Sequence, residues 1–408
     1  MIPPIKLAVI FDQVLSVGGG YQQAINAAML VNRVGKELCI PIYFTIFPEN
    51  VNILRSHGIE ANLLHISRLN RLMLKLRSLV RSRRLLIIIN KLFGLNSFEK
   101  PLINKNIDLV YFLSPSLWAH YLEKLNFIFT VWDLCHRDHP EFPEVREMGT
   151  FEEREHTFNT TLVKATAVLA ESKLGKENLV RRYGVDDSRV YVMPFNEASH
   201  IKDFDEIDQN KAILIKEKYG ISGEYIFYPA QFWSHKNHAY ILQGLNVLNK
   251  KYDITINAVF SGGDNGNLQY IKQLVEELNL SEQVDFIGFI ENEEMPYVYA
   301  SSIALVMPSY FGPTNIPPLE AFSLGVPVLY SDLPGLREQV KGAALMLDLN
   351  NPESMAINLK KLMSDEVLRK DLITAGKNKM ALLKDDTRLD IIEEICKNFK
   401  SKNYSWDD

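Results

Sequence analysis

Ile303-Ala304-Leu305-Val306-Met307-Pro308-Ser309-Tyr310-Phe311-Gly312-Pro313-Thr314-Asn315-Ile316-Pro317-Pro318-Leu319-Glu320-Ala321 is the stretch whose reading decides the fold. Its opening apolar run, Ile303–Met307, has the length of a strand covered on both faces. A loop follows, and Pro317 and Pro318 suit the first turn of a helix that continues through Leu324. Strand, loop and helix in that order make one step of a doubly wound α/β domain. The step recurs on either side. In the same half of the chain Tyr225–Tyr228, Ile254–Phe260, Val284–Phe286, Val328–Tyr330 and Ala344–Leu347 read as further strands. The other half supplies Lys6–Phe11, Ile42–Phe47, Leu109–Phe112, Phe127–Val131, Ala167–Ala170 and Val190–Val192. Each set is enough for one parallel sheet flanked by helices.

A chain of 408 residues is also too long for one hydrophobic core. The expected division is a Rossmann-like domain over residues 1–197, a linker over 198–210 and a second Rossmann-like domain over 211–380, with residues 381–408 forming a last helix and tail that ends past Trp406. The linker is polar and acidic. Asp203-Phe204-Asp205 within it formally matches an Asp-x-Asp metal motif, but a loop between domains makes a solvated acidic linker the better reading. No metal and no cofactor is expected.

The apolar share of 47% and charged share of 23% are those of an ordinary globular protein, and a net charge of −5 argues against a nucleic-acid partner. Cys39, Cys135 and Cys396 are far apart and lack metal-ligand spacing, which favours a reducing compartment. No secretory leader is visible ahead of the first strand, and no apolar run approaches the ~20 residues of a spanning helix; Leu85–Ile89 is the longest candidate. A cytoplasmic location, with room for peripheral contact with the inner face of the plasma membrane, is the expectation.

Open parallel sheets bind ligands beyond the carboxyl ends of their strands, and two such domains facing each other make a cleft. Three segments at strand ends are therefore the candidate site. Gly18-Gly19-Gly20 opens a helix over Tyr21–Val34, where free amides attract phosphate; a tight turn without a ligand is the alternative. The run Pro229–Asn237 carries Lys236, a point charge suited to a diphosphate, flanked by His235 and His238; a surface lysine between capping histidines is the bland reading. In the Pro308–Ala321 stretch the amides around Thr314 and Asn315 point to the cleft with a helix dipole behind them, and Glu320 is placed to bind ribose hydroxyls.

At these residues the sequence resembles glycosyltransferase family 4, a large retaining GT-B family of bacterial surface-polysaccharide mannosyl-, rhamnosyl- and glucosyltransferases. The resemblance rests on the Lys236-Asn237 turn, on Val284-Asp285-Phe286-Ile287-Gly288-Phe289, and on Pro308–Val328 with its Pro-Pro-Leu-Glu-Ala-Phe-Ser-Leu-Gly-Val-Pro-Val run. It covers the second domain and, more loosely, the Gly18–Gly20 loop and Trp132-Asp133. It implies a GT-B fold, two doubly wound Rossmann-like domains facing across a cleft, with the last helix returning to the first domain. It also implies a nucleotide diphosphate sugar as donor substrate. Gly18, Gly19 and Gly20 then approach the sugar phosphate, Lys236 meets the diphosphate, Ile287 and Phe289 meet the base and Glu320 holds the ribose. Gln231, Gly312, Thr314, Asn315 and Ile316 complete the donor set. Three departures stand out. The family's first glutamate, separated from the second by seven intervening residues, is replaced at Gly312, and the arginine before the lysine is Gln231. The His-Asp pair after the fourth strand is Trp132-Asp133, so a donor without a 6-hydroxyl fits.

Asp133, His136, Arg137, Asp138 and His139 follow the strand Phe127–Val131, and titratable groups there are candidates for acceptor binding and proton removal. Asp133, His136 and Lys236 form the catalytic set; a satisfied loop histidine is the alternative for His136. From Ala61 to Phe98 there is no acidic residue but eight Arg and Lys. Leu69, Leu72, Met73, Leu76, Leu79 and Val80 fall on one helix face, with Arg71, Lys75 and Ser78 opposite. Such a helix, with Arg81 and Arg84 beyond it, suits an anionic membrane surface and a polyprenyl-diphosphate-linked or glycan acceptor; a core-packed helix with a solvated basic face is equally consistent. The functional expectation is transfer of a hexosyl or 6-deoxyhexosyl group, rhamnose or mannose, in surface-polysaccharide (O-antigen or capsule) synthesis. The rivals are a nucleotide-sugar 2-epimerase and a non-catalytic sugar-nucleotide or glycan-binding module.

Overall fold

The computed structural model describes residues 3–15, 19–78, 80, 82, 84, 85, 87–89, 96–202, 204, 207–383 and 385–405. Gly18, Leu79, Arg81, Asp203, Asp205 and Trp406, all named above, lie outside them. The chain forms two compact units. The first comprises Met1–Leu134, Glu152–Pro194 and Asp385–Asp408, the second Cys135–Phe151 and Phe195–Lys384. The stretch taken as a continuous first domain, 1–197, is thus interrupted: residues 135–151 join the second unit.

In the first unit seven parallel strands, β1 Ile5–Phe11, β2 Cys39–Thr45, β3 Ala61–Leu63, β4 Leu109–Phe112, β5 Asn126–Val131, β6 Ala167–Ala170 and β7 Val190–Val192, lie in the order β3-β2-β1-β4-β5-β6-β7. The period-two alternation of a strand divides β1 between two cores. Leu7, Val9 and Phe11 enter one core with Ala24, Ala28 and Val31 of the Gly19–Val31 helix, while Ala8 and Ile10 enter the other with Phe98, Leu102 and Phe112. The first core also takes Ile392, Ile395, Cys396 and Phe399 from the last helix, Asp385–Asn403. β2 starts three residues before the expected Ile42 because Pro41 is tolerated within it. Its pairing with β3 begins only at Tyr43, so Pro41 has a ladder neighbour, Leu7, on one side alone.

The second unit holds six parallel strands, β8 Tyr225–Pro229, β9 Asn257–Ser261, β10 Val284–Gly288, β11 Ala304–Met307, β12 Val328–Ser331 and β13 Leu345–Leu347, in the order β10-β9-β8-β11-β12-β13. β9 begins later than the expected Ile254 because Asp253, at φ 53°, ends the preceding helix in a left-handed turn. Strand order reverses between β1 and β4 in one sheet and between β8 and β11 in the other. Those are the switch points where a doubly wound sheet leaves room for a ligand.

Candidate functional site

At the switch point of the second sheet, the chain leaves β8 through Ala230 and Gln231. The Gln231 carboxamide oxygen accepts from the Trp233 indole (3.1 Å) and from Asn265 Nδ2 (3.1 Å), which ties this segment to the loop after β9. That loop contains a glycine the sequence reading passed over. A Cβ on Gly262 would lie 2.5 Å from the Ala230 carbonyl, so only glycine permits the approach. A short Ser234–Lys236 turn follows and ends at Asn237 in left-handed conformation. The Tyr228 hydroxyl donates to the Lys236 carbonyl (2.9 Å), fixing the backbone that presents the lysine. The two histidines beside it differ in kind. His238 is buried against Tyr228, Phe232 and Phe260, and burial pushes its imidazole down to about 3, so it is a neutral core residue. His235 is paired with Glu144.

The loop between β11 and the Pro317–Ser323 helix is built around buried Ser309, whose hydroxyl accepts from the Phe311 amide (3.2 Å). Gly312 has φ +96°, and a Cβ there would sit 2.7 Å from the Thr314 carbonyl oxygen. The absence of a glutamate at this position therefore has a backbone cause. Asn315 does not offer its amide to a ligand, contrary to the expectation. Its backbone N–H donates to Gln339 Oε1 (3.0 Å), and its side-chain amide donates to the Phe311 carbonyl (3.1 Å) and the Tyr330 hydroxyl (2.7 Å). Among the described residues, the Thr314 hydroxyl is buried without a partner. Ile316 leads directly into the helix.

Glu320 lies one turn into that helix, where the Tyr299 hydroxyl donates to its Oε2 (2.7 Å). Burial raises its carboxyl to about 7; Glu197 adds to the rise, while the bonds from Tyr299 and the Ala198 amide oppose it. At the end of β10, Gly288 turns at φ +68°, Ile287 is half-buried and Phe289 is 59% exposed, a free aromatic face.

In the first unit, Gly19 and Gly20 open the helix after β1. A Cβ on Gly20 would lie 2.8 Å from the Trp132 ring, so this glycine makes room for the tryptophan that follows β5. Asp133 is not a free base: Arg154 donates to its carboxylate (2.6 Å) and its carbonyl (2.9 Å). His136 belongs to the second unit and is fully buried, with its ring 5.5 Å from that of Phe151; the boundary between the units falls between Asp133 and His136. The carboxylate that does sit at the first switch point is Asp12, directly after β1. Ser114 Oγ donates to it (2.6 Å) from the end of β4, as does Ser116. Burial raises its carboxyl to about 6 against those bonds. Its position after the first strand was the readable signal.

The helix Arg68–Ser78 shows its apolar face outward. Leu69, Leu72, Met73 and Leu76 are 68, 54, 50 and 52% exposed, and among the described side chains of the helix only Leu74 is buried. That excludes the core-packed reading of this face. Arg71 lies over the Trp118 ring (5.9 Å), Arg77 pairs with Glu123, and Lys75 and Arg84 are exposed to solvent. No helix among the described residues is long and apolar enough to cross a membrane.

Residues 212–379 match the family model of glycosyl transferases group 1. This stretch is a group 1 glycosyl transferase domain. It contains Gln231, Lys236, Ile287, Phe289, Gly312 and Glu320; Gly19, Gly20, Asp12, Asp133 and His136 fall outside it. The chain is 24% identical over 274 residues to O-antigen chain mannosyltransferase B of Escherichia coli, covering 66% of this chain and 69% of that protein. It is 25% identical over 195 residues to an O-antigen chain mannosyltransferase of Salmonella typhimurium, covering 48% of this chain and 50% of that one. The fold is GT-B: the structure of Anabaena HepE with UDP-glucose matches at TM-score 0.69 and 16% identity over 98% of this chain and 100% of that one.

Proposed function

We propose that this glycosyltransferase moves a hexosyl group, mannose before rhamnose, from a nucleotide diphosphate sugar to a glycan or lipid-linked acceptor in surface-polysaccharide synthesis. The observation that carries the reading is the placement of Lys236 after β8 and Glu320 after β11, two strands of one sheet, inside a group 1 glycosyl transferase domain. Mannose is preferred because the relatives named above are mannosyltransferases. A nucleotide sugar donor is supported by the UDP-glucose bound to HepE.

In this reading Lys236 neutralises the leaving diphosphate, and Glu320 in its ionised form accepts the ribose hydroxyls. Phe289 offers its exposed ring to the base. The bond from the anomeric carbon to the diphosphate breaks with its electron pair on the phosphate oxygen. The acceptor oxygen forms the new bond on the same face, and its proton passes to the departing phosphate, giving retention. Asp12 takes a second hydroxyl of the acceptor and orients it. The outward apolar face of the Arg68–Ser78 helix, with no acidic residue from Ala61 to Phe98, supports an acceptor held at an anionic bilayer.

The test is transfer itself. Full-length protein is incubated with GDP-mannose or UDP-glucose and a polyprenyl-diphosphate-linked glycan, and the product linkage is read by NMR. An α-linked product from an α-linked donor supports the reading. Binding of donor with no transfer to any glycan acceptor would favour the sugar-nucleotide-binding alternative.

A further inference from the structure

Residues 135–151 leave the first half of the sequence to join the second unit, and they grip both donor loops there. The short Pro143–Arg146 helix, started by its proline, places Glu144 against the lysine turn. The Glu144 carboxylate accepts from the His235 amide (2.9 Å) and also pairs with the His235 ring at Nδ1. Both side chains are largely shielded from water, at 8% and 12% exposure. The imidazole lies flat on Phe311, with ring centres 4.0 Å apart and planes 9° apart. His139 stacks near the same phenyl ring (5.7 Å), and Phe142 meets it edge-on (5.1 Å). The two loops are also joined directly, since the Tyr310 amide donates to the His235 carbonyl (2.9 Å). Finally, the Gly312 amide donates to Cys135 Sγ (3.2 Å).

A hydrogen-bonded carboxylate held away from water is a poor stabiliser compared with apolar packing of the same volume, and the best-attested use of such a buried polar pair is to select one geometry. Here the geometry selected is that of the residue next in the chain. Glu144 fixes His235 in front of Lys236, and the Tyr228 hydroxyl holds the Lys236 carbonyl from behind (2.9 Å).

We infer that Glu144 is a positioning residue for the donor diphosphate: by holding His235 it sets Lys236 and the Ser309–Gly312 loop as one rigid surface. The inference rests on the reading that Lys236 meets the diphosphate. Burial alone would push the Glu144 carboxyl up, but the bonds from His235 more than offset it and hold it below the ordinary range, consistent with a permanently ionised anchor.

The experiment compares wild type, Glu144→Gln and Lys236→Ala by calorimetric titration with UDP, GDP and the matching monophosphates, with thermal unfolding as a control of folding. Glu144→Gln removes the charge and keeps the shape. Its diphosphate affinity is expected to fall about tenfold, the loss of one charge-assisted hydrogen bond, while monophosphate affinity stays within twofold. Equal loss of both ligands, or no loss of either in a folded variant, overturns the inference. Lys236→Ala separates the two levels. If it too leaves diphosphate binding intact, the donor reading fails; if it abolishes the diphosphate preference while Glu144→Gln does not, only the role of Glu144 fails. Should Glu144→Gln not fold, Glu144→Asp is read by the same criterion, with a smaller expected loss of diphosphate affinity.

Discussion

Glu320→Gln separates the cost of a buried carboxylate from its use. The carboxyl is raised from 4.5 to about 7, chiefly by burial, and at 1.36 kcal/mol per pH unit that corresponds to about 3 kcal/mol. The sign follows from proton counting. Between pH 4.5 and about 7 the folded state holds the proton more tightly than the unfolded chain, so stability falls as pH rises through that window. Above it the whole penalty is present. Glutamine cannot ionise and still accepts the Tyr299 hydroxyl. The variant should therefore equal wild type in urea unfolding at pH 4.5 and exceed it at pH 8, by up to about 3 kcal/mol. Donor binding should move the other way. Wild-type affinity for a nucleotide sugar should strengthen from pH 6 to 8 as Glu320 ionises, and the variant's should be weak and flat. A variant no more stable than wild type at pH 8 would refute the burial argument, and an unchanged donor affinity would refute the ribose role.

Three further outcomes are expected. Gly312→Glu, which restores the family's residue on paper, should lose about 1–3 kcal/mol of stability without gaining activity, because φ +96° and the Thr314 carbonyl leave no room for a side chain; denaturant midpoints and initial rates check both. Phe399→Ala should cost about 3–5 kcal/mol by opening a cavity where the last helix meets the core that includes β1, measured by urea unfolding. Asp12→Asn should lower the transfer rate with donor affinity unchanged. The wild-type rate should fall on acidification through about 6, as Asp12 takes up a proton and ceases to accept the acceptor hydroxyl, and the variant should lack that limb.

The strands were legible because both sheets are buried on two faces, which turns each strand into an apolar run. β3 was not, since Ala61-Asn62-Leu63 is a half-buried three-residue edge that leaves no such run. Lys236 and Glu320 were legible as charged residues following strands. The bonds of Asn315 were not legible because its side chain and backbone are taken by Tyr330 and Gln339, partners 15 and 24 residues away that no local pattern announces. The pairing of Asp133 was not legible for the same reason: Arg154, its partner, lies 21 residues on. The allegiance of residues 135–151 is likewise set by tertiary contacts, chief among them Glu144 on His235. For the amphipathic helix, periodicity identified the apolar face but could not say whether it looks inward or outward.

The most direct test of the account is a thermal-shift panel of nucleotide diphosphate sugars on wild type, Lys236→Ala and Glu320→Ala. Wild type should be stabilised by one donor class, with that stabilisation lost in both variants. No stabilisation of wild type by any nucleotide sugar, or equal stabilisation of all three proteins, would contradict it.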